Sequence, residues 1–174
     1  MTAPAFVDQL RAILLRDLRA LRREIEAYPD DASVWAVPEG ISNSGGTLVL
    51  HLVGNLRSYL GRVIGGDGYE RDRPREFSAR DLPRAELLRD IDLTLAAVDR
   101  AMPTLTAERL AAEYPMAIGA VKVNTQDFIV HIAVHLGYHL GQVDYHRRIV
   151  SRSSATVATV APAELASARP APSP

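Results

Sequence analysis

The chain has 174 residues, 47% of them hydrophobic and 24% charged, and its formal net charge at pH 7 is −1. This length suits one domain with its own core, and the near-neutral charge gives no electrostatic reason to expect a nucleic acid or an anionic membrane as a partner. No run approaches the roughly 20 apolar residues of a membrane-spanning helix, and the N-terminus has no secretory pattern, so we expect a cytoplasmic protein. The absence of cysteine excludes thiolate ligands and leaves histidine, carboxylate and water for any metal.

Two amphipathic helices are predicted in the first 65 residues. The first covers about residues 4–28, where apolar residues recur at helical spacing until a proline follows. A loop is predicted over residues 30–46, and the serines and asparagine near its end are suited to cap the next helix. The second helix covers about residues 46–64 and ends at two consecutive glycines.

Two further helices are predicted in the second half. The charged stretch 67–80 reads as a loop, and the third helix begins near Asp81, a capping residue that precedes an early proline. It ends before Pro103, and a short helical turn is expected around residues 106–112. The fourth helix covers about residues 124–150, with two arginines near its negative end, where they favour the helix dipole.

These elements predict an all-α protein. Four helices of this length without a strand pattern indicate an antiparallel four-helix bundle over residues 1–152. Residues 153–174 are rich in alanine, proline and serine and have no periodic apolar face, so we expect a disordered tail there.

Three of the five histidines lie four residues apart in the fourth helix: His131, His135 and His139. Residues i and i+4 lie about one turn apart on the same face, so two neighbouring imidazoles can bind one cation. All three cannot share an ion, because eight residues of helix span roughly 12 Å. The spacing alone leaves the pairs His131/His135 and His135/His139 open, and a third ligand must come from elsewhere.

The two remaining histidines lie in different settings. His51 lies in the second helix among apolar residues, and helix bundles build metal sites from side chains on facing helices. His146 is flanked by a tyrosine and two arginines and is predicted to lie at the surface. Asn55 and Gln142 are candidates to hold the imidazoles in one tautomer by hydrogen bonding.

Two segments resemble the DinB/YfiT-like superfamily: His51-Leu52-Val53-Gly54-Asn55-Leu56 and His135-Leu136-Gly137-Tyr138-His139-Leu140-Gly141-Gln142. The segments Ile41–Thr47 and Arg73–Phe77 resemble one poorly characterised branch of it, and the similarity covers about residues 5–152. In that superfamily one histidine of the second helix and a His-x-x-x-His pair before a Gly-Gln of the last helix bind a divalent metal, commonly nickel or zinc. The resemblance therefore implies His51, His135 and His139 as metal ligands, with His131 an additional histidine one turn away.

The resemblance also implies a function. Relatives include mycothiol- and bacillithiol-dependent S-transferases and isomerases, often homodimeric, which implies a metal-dependent thiol S-transferase with a small-molecule substrate, a low-molecular-weight thiol and a homodimeric state. Three neutral histidines leave the fourth position of a tetrahedral ion open, as in catalytic zinc sites. A metal-dependent hydrolase is an alternative, as is a metal-binding stress or interaction protein without turnover. No general base is evident beside the histidines, and no catalytic residue is predicted.

Overall fold

A computed structural model describes residues 2–157 and 160–171, and this part of the chain is all-helical, which confirms the all-α prediction. Its α-helices are α1 (Ala3–Glu26), α2 (Asp31–Trp35), α3 (Gly45–Leu56), α4 (Arg73–Ser78), α5 (Arg84–Ala101), α6 (Ala107–Ala111) and α7 (Thr125–Ser151). The segment Arg57–Ile64 continues α3 as a π-helix, and 3-10 turns cover Met102–Thr104 and Pro162–Glu164. Each of these helices is too short or too polar to cross a membrane.

The two stretches predicted as loops, 30–46 and 67–80, each contain a short helix. At the start of α2 the Asp30 carboxylate accepts from Ser33 N at 2.7 Å, and the Ser33 hydroxyl accepts from Asp30 N. At the start of α4 the Asp72 carboxylate accepts from Arg75 N at 2.9 Å, and a proline occupies the first turn. These local caps define helices of five and six residues, which are too short to show an apolar period.

The long helices begin at residues with different capping roles. Ser44 caps α3, as predicted for that serine-rich stretch, because its hydroxyl accepts from Thr47 N at 3.1 Å. Asp81 was predicted to cap the third helix, and this is wrong: α5 begins at Arg84 after Pro83, whose φ suits the position before a helix. Asp81 itself takes a left-handed backbone conformation with φ of 59°.

Contacts between the long helices give their directions. Helices α1 and α5 are antiparallel, because Arg11 pairs with Asp99 and Arg22 with Asp92. Helix α3 is antiparallel to α7: the start of α3 lies against the C-terminal part of α7, whereas the rings of Tyr59 and Phe128, near the opposite ends, are 5.0 Å apart.

The other neighbouring helices run in the same direction. Asp17 lies beside Gly137 and Glu24 contacts Arg147, so α1 and α7 are parallel. The π-helical continuation of α3 is likewise parallel to α5, since Gly61 lies against Ala97 and the next glycine along lies against Ala101. Two antiparallel helix pairs therefore lie side by side. Their inward faces supply a core of almost fully buried side chains, among them Leu14, Leu18, Leu21, Leu52, Leu56, Leu60, Leu87, Ile91, Ile129 and Ile132.

Two polar residues near the end of α7 are buried, which corrects the prediction that His146 lies at the surface. His146 is 2% exposed, with Nδ1 at 2.7 Å from the Tyr28 hydroxyl and Nε2 at 2.8 Å from Ala36 O. Arg147 was predicted only to favour the helix dipole, but its guanidinium is buried against Glu24 of α1. Arg147 faces α1, whereas His146 faces the segment between α1 and α3, and the partners of both come from distant parts of the sequence.

The chain after α7 is tied to that helix. Arg147 Nη2 donates to Ala155 O at 3.0 Å, and Arg148 Nη1 donates to Ser154 O at 2.9 Å. The turn Pro162–Glu164 packs against α1. Residues 158–159 and 172–174 of the predicted disordered tail lie outside the described residues, and the disorder of the tail stays a prediction.

Candidate metal centre

Three histidines converge where α3 faces α7. His51 Nε2 lies 3.4 Å from His135 Nε2, and His139 Nε2 lies 3.2 Å from the same atom. The ligand atoms of the three side chains all lie within 4.8 Å of one another, and each side chain is partly buried. One helical turn separates His135 from His139, and the antiparallel packing of α3 brings His51 opposite both.

The other ring nitrogen of His51 faces a buried carboxylate. Glu76 of α4 is 4% exposed, and its Oε2 lies 3.1 Å from His51 Nδ1. Arg71 donates to both carboxylate oxygens, from Nε to Oε1 at 2.6 Å and from Nη2 to Oε2 at 2.9 Å. Burial alone would raise the pKa of Glu76, but the hydrogen bonds from His51 and Arg71 outweigh it and bring the pKa below its usual value. The carboxylate is therefore ionised at neutral pH.

His135 and His139, the two histidines that α7 contributes to the centre, are neutral at physiological pH. Burial, followed by the neighbouring His139 and His51, lowers the pKa of His135 to about 4. Burial also lowers the pKa of His139, although the hydrogen bond between its Nδ1 and Gln142 Oε1, at 2.6 Å, opposes this shift. Neutral imidazole is the form that binds a metal ion.

The hydrogen bonds around the centre fit a divalent cation. A carboxylate and an amide oxygen can only accept, so Nδ1 of His51 and of His139 carry the hydrogen and both Nε2 atoms present lone pairs to His135. One hydrogen on His135 Nε2 cannot fully satisfy two such neighbours, whereas a cation can. Zinc–nitrogen bonds of about 2.0–2.1 Å place tetrahedral ligand atoms about 3.3–3.4 Å apart, close to the two shortest separations.

The remaining predicted residues have separate surroundings. His131 is exposed, stacks on Phe128 with ring centroids 6.1 Å apart, and lies outside the converging group. Gln142 contacts His139 as described. Asn55 Oδ1 is buried and has no hydrogen-bond partner within residues 2–157 and 160–171. The spacing left open the pairs His131/His135 and His135/His139. In the structure it is the second pair that lies beside His51.

Sequence reasoning missed Glu76 and Arg71. Both lie in the charged stretch that was assigned to a loop, and the resemblance of Arg73–Phe77 to one branch of the superfamily gave Glu76 no role. The available signal was the aspartate two residues before Pro74, because a cap followed by a proline predicts the start of a helix. A helix there would have given Glu76 a fixed place beside α3.

A cleft of about 230 Å³ adjoins the centre only through Gln142, the partner of His139 Nδ1, and none of the three histidines lines it. Its other lining residues come from the loop before α3, from α3 and from the end of α7: Gly40, Ile41, Ser42, Asn43, Leu48 and Tyr145, together with buried His146. These residues offer hydroxyl and amide groups and no charged side chain, since burial lowers the pKa of His146 and both of its ring nitrogens are hydrogen-bonded to Tyr28 and Ala36. The cleft therefore suits an uncharged portion of a small molecule.

Three histidines converge between two long antiparallel helices in the all-helical described part of the chain. These features identify a class, the helical proteins with a histidine-based site. The chain belongs to the DinB superfamily, whose family model matches residues 9–143. The matched range includes His51, His135 and His139, and it confirms the superfamily resemblance seen in the sequence. No curated protein sequence matches the chain.

Proposed function

We propose that the protein binds one divalent metal ion through Nε2 of His51, His135 and His139. The observation that carries the proposal is the convergence of three Nε2 atoms. Each of the three rings is either neutral or bonded through Nδ1 to a hydrogen-bond acceptor. Imidazole nitrogen suits zinc and nickel, and either ion is consistent with this ligand set. Membership of the DinB superfamily supports the same reading.

The metal proposal is tested on protein made without a histidine tag. Elemental analysis should find zinc or nickel near one equivalent per chain, and titration of metal-free protein with Zn²⁺ and with Ni²⁺ should show one site. His135→Ala should abolish that site, because Nε2 of His135 contacts both other rings. His131→Ala is the matched control from the same helix and should bind as the wild type does. Absence of a site in the wild type would refute the proposal.

We propose further that the centre is catalytic and of thiol S-transferase type. A divalent ion supplies Lewis acidity that lowers the pKa of a thiol or a water molecule that binds to it. Three protein ligands leave room for such a molecule, and the chain has no cysteine of its own, so a thiol nucleophile must come from a small molecule. The adjoining cleft at Gln142 offers uncharged polar groups to orient the second substrate.

The chemistry is tested by comparing two reactions on metal-loaded protein. N-acetylcysteine with the chromogenic electrophile 1-chloro-2,4-dinitrobenzene probes thiol transfer, and p-nitrophenyl acetate probes hydrolysis. Metal-dependent turnover of the first alone supports the transferase, whereas turnover of the ester alone would replace it with a hydrolase. A metal-loaded protein inactive on both probes would favour the metal-binding stress or interaction protein. His135→Ala serves as the inactive control in each assay.

We also propose that the chain forms a homodimer through α7. Five apolar residues, each at least 40% exposed, form one stripe along this helix: Val130, Val134, Tyr138, Tyr145 and Ile149. The stripe carries no charge, and a twofold axis would place it against its own copy. Light scattering should report a dimer that Val134→Glu converts to a monomer. Val121→Glu, on another exposed valine away from α7, should leave the mass unchanged.

The antiparallel four-helix bundle predicted from the sequence is part of this proposal. The antiparallel contacts of α1 with α5 and of α3 with α7 support it, and the contacts of α1 with α7 are consistent with the first and last helices lying side by side. In that arrangement the second and last helices face each other along their length. The two halves of the histidine centre then belong to the same bundle.

A further inference from the structure

We infer that Glu76 is the positioning residue of the centre, and that it acts by holding His51 as the Nδ1–H tautomer. This inference rests on the proposed metal binding. Both oxygens of Glu76 accept from Arg71, so the carboxyl group offers an acceptor at its 3.1 Å contact with His51 Nδ1, and the hydrogen lies on that nitrogen. In the neutral ring the lone pair of Nε2 is then directed at the other two histidines.

Arg71 fixes the carboxylate so that it cannot turn away. Its two hydrogen bonds engage both oxygens of Glu76, and its guanidinium also lies over the ring of Tyr59, 5.5 Å from the centroid. Glu76 is in turn 4% exposed, so water cannot replace either partner readily. The orientation of the His51 ring is therefore determined by α4 and the segment before it, not by α3 alone.

The two supported rings of the centre are held unequally. The partner of His139 is the neutral and exposed amide of Gln142, whereas the partner of His51 is a buried negative charge. Hydrogen bonds to an ionised acceptor are roughly twice as strong as neutral ones, and a carboxylate behind a ligating imidazole raises its basicity. The His51 side is the stronger support, and it compensates part of the charge of a bound cation.

Gly54 makes this arrangement possible. It lies three residues after His51 on α3, directly against Glu76, and a Cβ at this position would overlap Glu76 Oε1 and lie 2.7 Å from its Cδ. Any larger residue would push the carboxylate away from His51. Gly54, Arg71 and Glu76 therefore form one positioning unit, which we call the Glu76 unit.

The first test replaces the carboxylate by an amide. Arg71 has only donors and reaches both oxygen positions, so the NH₂ of Glu76→Gln opposes an Arg71 N–H in either orientation and the support of His51 Nδ1 is weakened. We expect about 10- to 100-fold weaker Zn²⁺ binding, measured by competition with a chromophoric chelator. In metal-free protein labelled with ¹⁵N-histidine, the Nε2–H tautomer of His51 should become populated at the expense of the Nδ1–H tautomer.

A matched pair of double variants isolates the hydrogen bond. Arg71→Met with Glu76→Gln and Arg71→Met with Glu76→Leu both lack the buried ion pair, but only the first retains an acceptor free to turn its oxygen to His51. The first should restore the Nδ1–H tautomer and bind Zn²⁺ more tightly than Glu76→Gln alone. The second should do neither. Because neither variant leaves a buried charge unpaired, this comparison also holds if Glu76→Gln folds poorly.

Gly54→Ala tests the unit without changing any hydrogen-bonding group. It should weaken Zn²⁺ binding as Glu76→Gln does, whereas Gly141→Ala, where an added Cβ meets no atom within 4 Å, should not. Unchanged Zn²⁺ affinity per folded molecule and an unchanged His51 tautomer in Glu76→Gln would overturn the inference and reduce Glu76 to a structural role. If the wild type binds no metal, the proposed function fails, and the tautomer spectrum of the metal-free protein still decides the role of Glu76.

Discussion

Arg147 and Glu24 form an ion pair in the protein interior, between the parallel helices α7 and α1. Arg147 Nε donates to Glu24 Oε2, and the two side chains are 2% and 1% exposed. Arg147 also donates to Asp144 at 3.0 Å, whereas Glu24 Oε1 is buried with no hydrogen-bond partner in the described part of the chain. The charge of Glu24 therefore depends on Arg147 for compensation, whereas Arg147 has Asp144 as a second partner.

Removing one partner of this pair should destabilise the fold strongly. Arg147→Met leaves the buried carboxylate of Glu24 without its ion-pair partner. We expect this substitution to lower the free energy of unfolding by about 3–5 kcal/mol in urea denaturation. Glu24→Leu combined with Arg147→Met removes both charges and should be more stable than Arg147→Met alone. A double variant whose loss equals the sum of the two single losses would show that the residues do not act as a pair.

The features that could be predicted from the sequence are those that depend on local periodicity. The long helices follow from apolar residues at helical spacing, and His135 with His139 follows from one turn of α7. The burial of His146 and Arg147 was not predictable in this way, because Tyr28 and Glu24 lie more than 100 residues earlier in the chain. Such pairs are set by the packing of α7 on α1 and on the residues that follow α1, and neither local spacing nor charge near a helix end predicts this packing.

The candidate site was predictable in its three histidines and in Gln142, which contacts His139. A histidine motif is visible in sequence because ligand geometry fixes its spacing, and His51 was a candidate as a histidine of the second helix before the superfamily resemblance implied it as a ligand. Glu76 lies in a helix of six residues, which is shorter than two turns and shows no period. Its role follows from the close approach of α4 to Gly54, which is a property of packing.

His146 should make the stability sensitive to acid. Burial lowers the pKa of His146 despite the hydrogen bond to Ala36 O, and burial keeps Tyr28 protonated by raising its pKa. An unfolded chain takes up this proton near pH 6.5, so as the pH falls below about 6.5 the unfolded state binds more protons and the free energy of unfolding decreases. Urea denaturation at about pH 7, 6 and 5 should show a smaller decrease for His146→Gln. The exposed His131→Gln should retain the wild-type slope, and an unchanged slope in His146→Gln would contradict the assignment.

Two helical glycines should respond oppositely to alanine. An added Cβ at Gly46 would lie 2.7 Å from the ring of Trp35, whose Nε1 is held by Leu82 O at 2.9 Å, so the ring cannot move freely. Gly46→Ala should therefore lower the melting temperature. Gly141→Ala meets open space and should add up to about 1 kcal/mol through helix propensity. Thermal unfolding followed by circular dichroism measures both, and equal shifts would contradict the packing of Trp35 on α3.

The end of the folded domain can be located by truncation. Removing everything after Val157 should leave the melting temperature nearly unchanged. The predicted tail has no periodic apolar face and therefore has little apolar surface to bury. Removing everything after Arg152 also deletes Ala155 O, an acceptor of the buried Arg147, and should cost about 1 kcal/mol. A large loss with the shorter deletion would show that the turn Pro162–Glu164 contributes to stability through its contact with α1.

Metal removal should change the stability only when the three histidines are intact. An ion that binds the folded state alone stabilises it by mass action, by about 2.7 kcal/mol at a free concentration 100 times the dissociation constant. A chelator should therefore lower the melting temperature of the wild type and of His131→Ala by several degrees, but hardly that of His135→Ala, whose lost Nε2 lies 3.2 Å and 3.4 Å from the other two. His51→Ala and His139→Ala should resemble His135→Ala. A chelator effect that disappears in His131→Ala but persists in His139→Ala would place the ligand pair one turn nearer the N-terminus of α7.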